Sequence, residues 1–481
     1  MTQLRQGGHA TTVINRAENA MQDEFLRTAV RFTTDRLRNK KQAVTETFGQ
    51  WEAWRKRGEA IRAHTIANLD AYLGSFIDKL ETLGVHVHLA QDAPEAMRAV
   101  RKIVQDKNAK KIVKSKSMVT EEIHLNHHLE ADGIQIVETD LGEYIIQLAH
   151  ETPSHIIIPA IHKNRAQIRD LFEAAGATNL STETSALTAF ARQKLREEFL
   201  SADIGITGCN FGIAETGSLV LFTNEGNADM VMNLPQTHIV VMGMERILPS
   251  LSDLEVMAHL LPKSATGQNV ITYMSMITGQ RRALDHDGAK EMHVVILDNG
   301  RSKQLGDPQF QAILHCIRCG ACLNVCPVYR QIGGHAYGSV YPGPIGAVLS
   351  PLLAGGEEYS DLPYASSLCG ACYEACPVRI PLHDMLVHQR QRQVASGHGK
   401  PLERMAFNGY RQMFAKPGRY HFALRMARTF QGPLVKDGKI RAKIGPLAGW
   451  TASRDFPSVA KKSFRDLWPT LQQGGDSHRQ N

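Results

Sequence analysis

The spacing of apolar residues changes character along this chain. From residue 17 to about 69 the sequence is charged, with apolar positions at helical intervals, and 25–63 carries few turn signals; this predicts an N-terminal helical segment, 1–69. Beyond Gly84 short apolar runs take over, at 85–89, 111–113, 134–137, 156–158, 204–207, 239–242 and 294–297, separated by amphipathic stretches such as 93–105. That alternation predicts an α/β domain on a largely parallel sheet over residues 70–300. His155 and His162 flank the run at 156–158, and ordinary polar contacts are expected of both. Residues 205–218 are dense in glycine, and 219–222 then reads as a strand entering a turn at 223–227. Such glycines either let a ligand approach the backbone at the strand ends or serve tight packing. Neither a G-x-G-x-x-G fingerprint nor a P-loop occurs.

After residue 300 cysteine takes over from hydrophobic periodicity as the informative signal. Cys316, Cys319, Cys322 and Cys326, followed by Pro327, have the spacing C-x2-C-x2-C-x3-C-P that wraps thiolates around a cubane iron-sulfur cluster. A second run, Cys369, Cys372 and Cys376, is again closed by a proline, Pro377. In the two-cluster pattern the last cysteine of each run reaches the other cluster. One 4Fe-4S cluster is therefore expected on Cys316, Cys319, Cys322 and Cys376, and a second on Cys326, Cys369 and Cys372. Ser366 stands where the second run lacks its first cysteine, and a neutral hydroxyl is a poor iron ligand beside a thiolate. The second cluster is thus expected to be three-iron, or four-iron with Ser366, water, a substrate, or a residue from another part of the chain or a partner completing it. The 42-residue spacer between the runs, with its glycine and proline stretch at 333–346 and an apolar segment at 347–353, and the helical pattern at 382–395 point to an α-helical ferredoxin module over 301–395. His315 adjoins the first run, and Cys209, the one cysteine outside both runs, is expected to be a small buried residue.

Two other uses of the cysteines fit less well. Residues 1–20 are polar, without the apolar run of a secretory leader, so a disulfide framework is not expected. Structural zinc rarely uses a third cysteine at the same spacing, a fourth, and a proline. No apolar run approaches the eighteen or so residues of a membrane span, and reduced cysteines then suggest the cytoplasm. Charge is uneven: from 401 to 481 fifteen Lys and Arg face five Asp and Glu, while the whole chain is only +7. No nucleic-acid reader motif accompanies this basic region, 396–481, so no nucleic acid is expected; an acidic protein partner or peripheral contact with an anionic membrane fits better, beside a merely solvated face.

Taken jointly, four stretches resemble the lactate utilisation protein B family of bacterial L-lactate oxidation systems. They are Lys114-Ser-Lys-Ser-Met-Val-Thr-Glu-Glu-Ile123, Gly212-Ile-Ala-Glu-Thr-Gly-Ser218, both cysteine runs with Ser366-Ser-Leu-Cys369, and Gly449-Trp-Thr-Ala-Ser-Arg-Asp-Phe-Pro457. The resemblance implies an α/β lactate-utilisation (LUD) domain of the NagB, ribose-phosphate isomerase and CoA-transferase type, followed by the helical ferredoxin domain with two iron-sulfur clusters. It implies an electron carrier working beside companion subunits, taking electrons from L-lactate towards an acceptor of the respiratory chain, rather than a complete enzyme. The three-cysteine second site belongs to the same resemblance. Glu215 is only loosely similar to the CoA-transferase nucleophile and is not expected to be catalytic. Two rival readings put an active site in the α/β cleft, or make that domain a ligand-binding module that gates the clusters.

Overall fold

The computed structural model describes residues 12–354, 358–397, 401–440, 451 and 454–475. They fall into two compact units, Met1–Arg392 and Gln393–Asn481. Gly449, Trp450, Ala452 and Ser453 of the family-like ending lie outside the described residues.

The first unit opens with four helices, α1 (Val13–Gln22), α2 (Glu24–Phe48), α3 (Trp51–Ala67) and α4 (Leu69–Thr82). Asp23 caps α2 by accepting from the Leu26 N–H, and Gly49 ends it in the left-handed conformation. A six-stranded, wholly parallel sheet follows, from β1 (His86–Ala90), β2 (Lys111–Lys114), β3 (Gln135–Glu138), β4 (Ile204–Thr207), β7 (Thr237–Gly243) and β10 (Glu291–Leu297), in the order β1-β10-β7-β4-β2-β3. β4 and β7 are buried along their whole lengths, and all of β10 but its first residue, as strands covered on both faces must be. A smaller mixed sheet joins β5 (Phe211–Ile213), β6 (Ser218–Thr223), which holds the strand expected at 219–222, β8 (Ile247–Leu248) and β9 (Tyr273–Ile277) in the order β8-β5-β6-β9.

The run at 156–158 is not a strand. Pro153 and Pro159 bracket it, and Nδ1 of His155 accepts from the N–H groups of Ile157 (3.0 Å) and Ile158 (3.2 Å), so the backbone donors are satisfied locally rather than by a ladder. His155 Nε2 meets Asn324 Oδ1 at 3.1 Å, and His162 meets Glu151 at 2.6 Å, both ordinary polar contacts.

The glycine-rich stretch is filled by the protein itself. A Cβ at Gly205 would lie 2.0 Å from the Val231 carbonyl oxygen, and one at Gly212 2.7 Å from Phe76. Close packing accounts for both glycines. Glu215 accepts from the N–H of Leu251, at the start of the helix Leu251–Ala265.

From residue 311 the chain is helical and short-limbed, with the helices Ala321–Val325, Tyr329–Ile332, Gly343–Leu353, Ala371–Ala375 and Leu382–Ala395. The second unit contains the helices Pro401–Phe414, Pro417–Phe430 and Phe464–Gly475 and three two-residue strands.

Candidate iron-sulfur centre

The two cysteine runs fold alike, residue for residue. In the first, Cys316 leads to Arg318 at φ +61°, Cys319, Gly320 at φ +71°, the helix Ala321–Val325 and then extended Cys326 and Pro327. In the second, Ser366 leads to Leu368 at φ +55°, Cys369, Gly370 at φ +80°, the helix Ala371–Ala375 and extended Cys376 and Pro377. Glycine suits the left-handed start of each helix because it has no Cβ to clash. The Arg318 N–H donates to Cys316 Sγ at 3.4 Å, and the Leu368 N–H donates to Ser366 Oγ at 3.1 Å. Ser366 therefore occupies the same local position as Cys316, with oxygen in place of sulfur.

Cys316, Cys319, Cys322 and Cys376 line one pocket, whose other walls include Ile156, Ile345, Val378 and Leu382. Ile156, at the head of the apolar run at 156–158, thus lines the cysteine pocket instead of a sheet. The Ile380 N–H points at Cys376 Sγ from 3.4 Å and the Tyr329 N–H at Cys326 Sγ from 3.5 Å. Burial and the neighbouring Cys376 push the Cys319 thiol up to about 12, and Cys322 rises further through burial and Cys319. Cys372 is pushed up to about 12 by burial and then by Cys326, while Cys326 is raised by burial and also feels Cys369. Cys369 is exposed, and the Ala371 N–H holds its thiol below the usual range. Soft sulfur donors gathered against apolar walls, with backbone N–H groups aimed at sulfur, are the donor chemistry an iron-sulfur cluster needs. Cys209 stands apart: burial pushes its thiol up to about 12, and its Sγ donates to the Val220 carbonyl at 3.8 Å.

A collar of cations surrounds the four-cysteine pocket. Lys41 on α2 donates to the Ala375 carbonyl at 2.5 Å. Arg55 on α3 donates to the carbonyls of Cys376 and Tyr373, both at 2.9 Å. Arg62, fully buried, donates to the carbonyls of Glu245 (2.5 Å), Ile247 (2.7 Å) and Leu314 (2.9 Å). Arg246 donates to the Cys316 carbonyl at 2.8 Å, and the Arg318 guanidinium lies 4.7 Å from the Tyr341 ring centre. Burial and Arg246 lower Arg62 only to about 10, so it stays charged at neutral pH. Against the upward push of burial, Arg301, Arg318 and Arg246 hold buried Glu245 at about 2, a fixed counter-charge inside the collar, and Glu52 pairs with Arg55 at 2.6 Å. His315 is pushed down to about 4 by burial and Arg62 and is therefore neutral. At the opening of the second run, by contrast, Arg390 is the one cation among the described residues that donates to the backbone, to Pro363 and Ser366.

The helical residues of this collar have a sequence signal of a different kind from the cysteines. On α3 the buried positions are Arg55, Gly58, Arg62, Thr65 and Ile66, a helical stripe that is largely polar where a packed helix should be apolar. Gly58 lets α3 approach closely, since a Cβ there would lie 2.3 Å from Leu260 Cδ1.

Three family models match the chain in order: a LUD domain at 73–297, a 4Fe-4S dicluster domain at 312–380 and the lactate utilisation protein B C-terminal region at 387–473. The chain is 52% identical to lactate utilization protein B of Geobacillus kaustophilus (strain HTA426) over 463 residues, 96% of this chain and 97% of that one. It belongs to the lactate utilisation protein B family. It is likewise 53% identical over 450 residues to the protein of that name from Macrococcus caseolyticus (strain JCSC5402), covering 93% of this chain and 94% of the other. Among solved structures it matches a DUF162 family protein of Deinococcus radiodurans over 48% of this chain and 98% of that one, at 14% identity and a TM-score of 0.27, a likeness too slight to carry an argument. A family member with a dicluster domain is an iron-sulfur protein with a role in lactate utilisation and electron transfer. No described helix is long and apolar enough to cross a membrane.

Proposed function

We propose that this protein is the iron-sulfur electron-transfer subunit of a system that oxidises L-lactate to pyruvate and so allows growth on L-lactate. Companion subunits perform the oxidation, and the electrons leave towards an acceptor of the respiratory chain from a protein working in the cytoplasm. In this reading Cys316, Cys319, Cys322 and Cys376 hold one 4Fe-4S cluster. Cys326, Cys369 and Cys372 hold the other, with Ser366 or a small ligand at its fourth position, or with only three irons. Bound clusters supply one-electron redox chemistry at thiolate-held iron.

The chain's own residues do the rest. Ile156, Ile345 and Val378 exclude water from the four-cysteine pocket, and the cations Lys41, Arg55, Arg62, Arg246 and Arg318 oppose the negative charge that thiolates and sulfides bring. The observation that carries the reading is the pocket uniting Cys376 with the three leading cysteines of the other run. Such crossing holds two clusters close together, as electron transfer requires.

Anaerobically reconstituted protein, assayed alone with L-lactate and an artificial acceptor, is expected to show no turnover, and its clusters to be reduced by lactate only with the companion subunits present. Turnover by the isolated chain would instead place an active site in its α/β domain.

A further inference from the structure

The second unit exposes what a soluble helical unit would ordinarily bury. In the helix Pro401–Phe414 no residue is buried; Leu402 is 78% exposed, Met405 70%, Phe407 66% and Tyr410 58%. Its other face carries Arg404, Asn408, Arg411 and Gln412. In Pro417–Phe430 the exposed apolar residues Phe422, Met426 and Phe430 recur every fourth position, one stripe of a helix. In Phe464–Gly475, Phe464, Leu467, Trp468 and Leu471 follow i, i+3, i+4, i+7, and all four are exposed. These helices touch one another through Phe414 and Tyr420 (ring centres 5.4 Å apart) and through Arg465 and His421 (3.4 Å). Their contacts with one another leave the stripes bare.

We infer that this unit is a membrane-surface module, its amphipathic helices lying in the headgroup region of an anionic bilayer with the apolar stripes towards the acyl chains. Charge chooses the occupant. Fifteen Lys and Arg against five Asp and Glu between 401 and 481 make a second copy of the same surface repulsive and an anionic surface attractive. An acidic protein would answer the charge alone. Aromatic residues on all three helices, with Arg404, Arg411 and Arg465 interspersed and Lys461 and Lys462 just ahead of the last helix, match helices that rest at a lipid interface. The inference does not depend on which cysteine holds which iron.

The test is sedimentation of the full-length, cluster-loaded protein with vesicles of phosphatidylcholine alone or mixed with phosphatidylglycerol, at low and high salt. Binding is expected on the anionic vesicles, weaker by about tenfold or more on neutral ones, and weakened by salt. Phe464→Glu with Trp468→Glu, and separately Met405→Glu with Phe407→Glu, should each reduce binding severalfold while the visible spectrum of the clusters stays unchanged. Lys461→Glu with Lys462→Glu should reduce it on anionic vesicles only. Absence of binding to either vesicle, equal binding to both, binding indifferent to all three pairs, or a stable dimer that the Glu substitutions dissociate would each overturn the inference.

Discussion

Replacing Lys41 with Met should lower the reduction potential of the four-cysteine cluster. Its ammonium donates to the carbonyl of Ala375, the residue before Cys376, and no carboxylate pairs with it among the described residues. Burial lowers its pKa, but Cys319 and Cys376 oppose that shift, and thiolates around bound iron favour the charged form. Taking about 8 Å between charge and cluster and an effective dielectric near 20, the interaction is about 2 kcal/mol. With about 59 mV per tenfold for one electron, this corresponds to roughly 90 mV. Lys41 is only half-buried, so solvent trims the effect, and a fall of roughly 40–80 mV is the expected range. Redox titration followed by electron paramagnetic resonance reads both clusters in one sample. The four-cysteine cluster should move in Lys41→Met and recover in Lys41→Arg, while the other moves less. Equal shifts in both clusters, or none, would refute the electrostatic role of the collar.

Ser366→Cys should convert the second run into a full ligand set: mild oxidation should yield a three-iron resonance signal in the native protein and little of it in the variant, and identical spectra would mean that another group already completes the site. Cys376→Ser should remove the same spectroscopic cluster as Cys316→Ser; loss of the signal that Cys369→Ser removes would contradict the crossed assignment. Arg62→Met strips the donor from three carbonyls at about 1–3 kcal/mol each, so a loss of roughly 3–9 kcal/mol is expected, and a melting temperature within a degree of the parent would show that water replaces the guanidinium. Burial pushes His238 down to about 3, whereas an unfolded histidine titrates near 6.5. Between these values the unfolded chain holds a proton that the folded chain refuses, so this contribution is intact above about pH 6.5 and fades by about 1.4 kcal/mol per unit as pH falls. Urea midpoints at pH 7.5 and 5.5 should differ less in His238→Gln than in the parent.

The parallel sheet was legible because its strands are apolar runs separated by amphipathic helices, as at 204–207 and 239–242. The run at 156–158 has the same composition and a different fate. Composition reports burial, and here His155 takes up the backbone N–H groups that a ladder would need while Pro153 and Pro159 break the run at either end, so Ile156 packs against the cysteine pocket rather than in a sheet. β8 and β9 escaped notice because one is two residues long and the other is exposed or half-exposed throughout. The cysteine runs were legible from spacing alone, since thiolate positions on a tight loop are set by covalent reach. Lys41, Arg55 and Arg62 were not, because a cation on a charged helix looks solvated until the carbonyls it serves, far along the chain, are brought to it.

That distance has a consequence for biosynthesis. Arg55 and the Cys376 carbonyl are 321 residues apart in sequence, and Lys41 and Ala375 are 334 apart. At about 5–20 residues per second, α2 and α3 leave the ribosome on the order of fifteen seconds to a minute before their partners are made. Through that interval their charged heads stay hydrated, and closure of these long loops comes late. If α2 and α3 dock only after Cys376 has emerged, the gathered cysteines stay open on that side until they do, and iron and sulfide have a route to the thiolates before closure. Hydrogen exchange pulsed during refolding should find α2 and α3 among the last elements protected, and early protection there would mean that the pocket closes before it can be loaded.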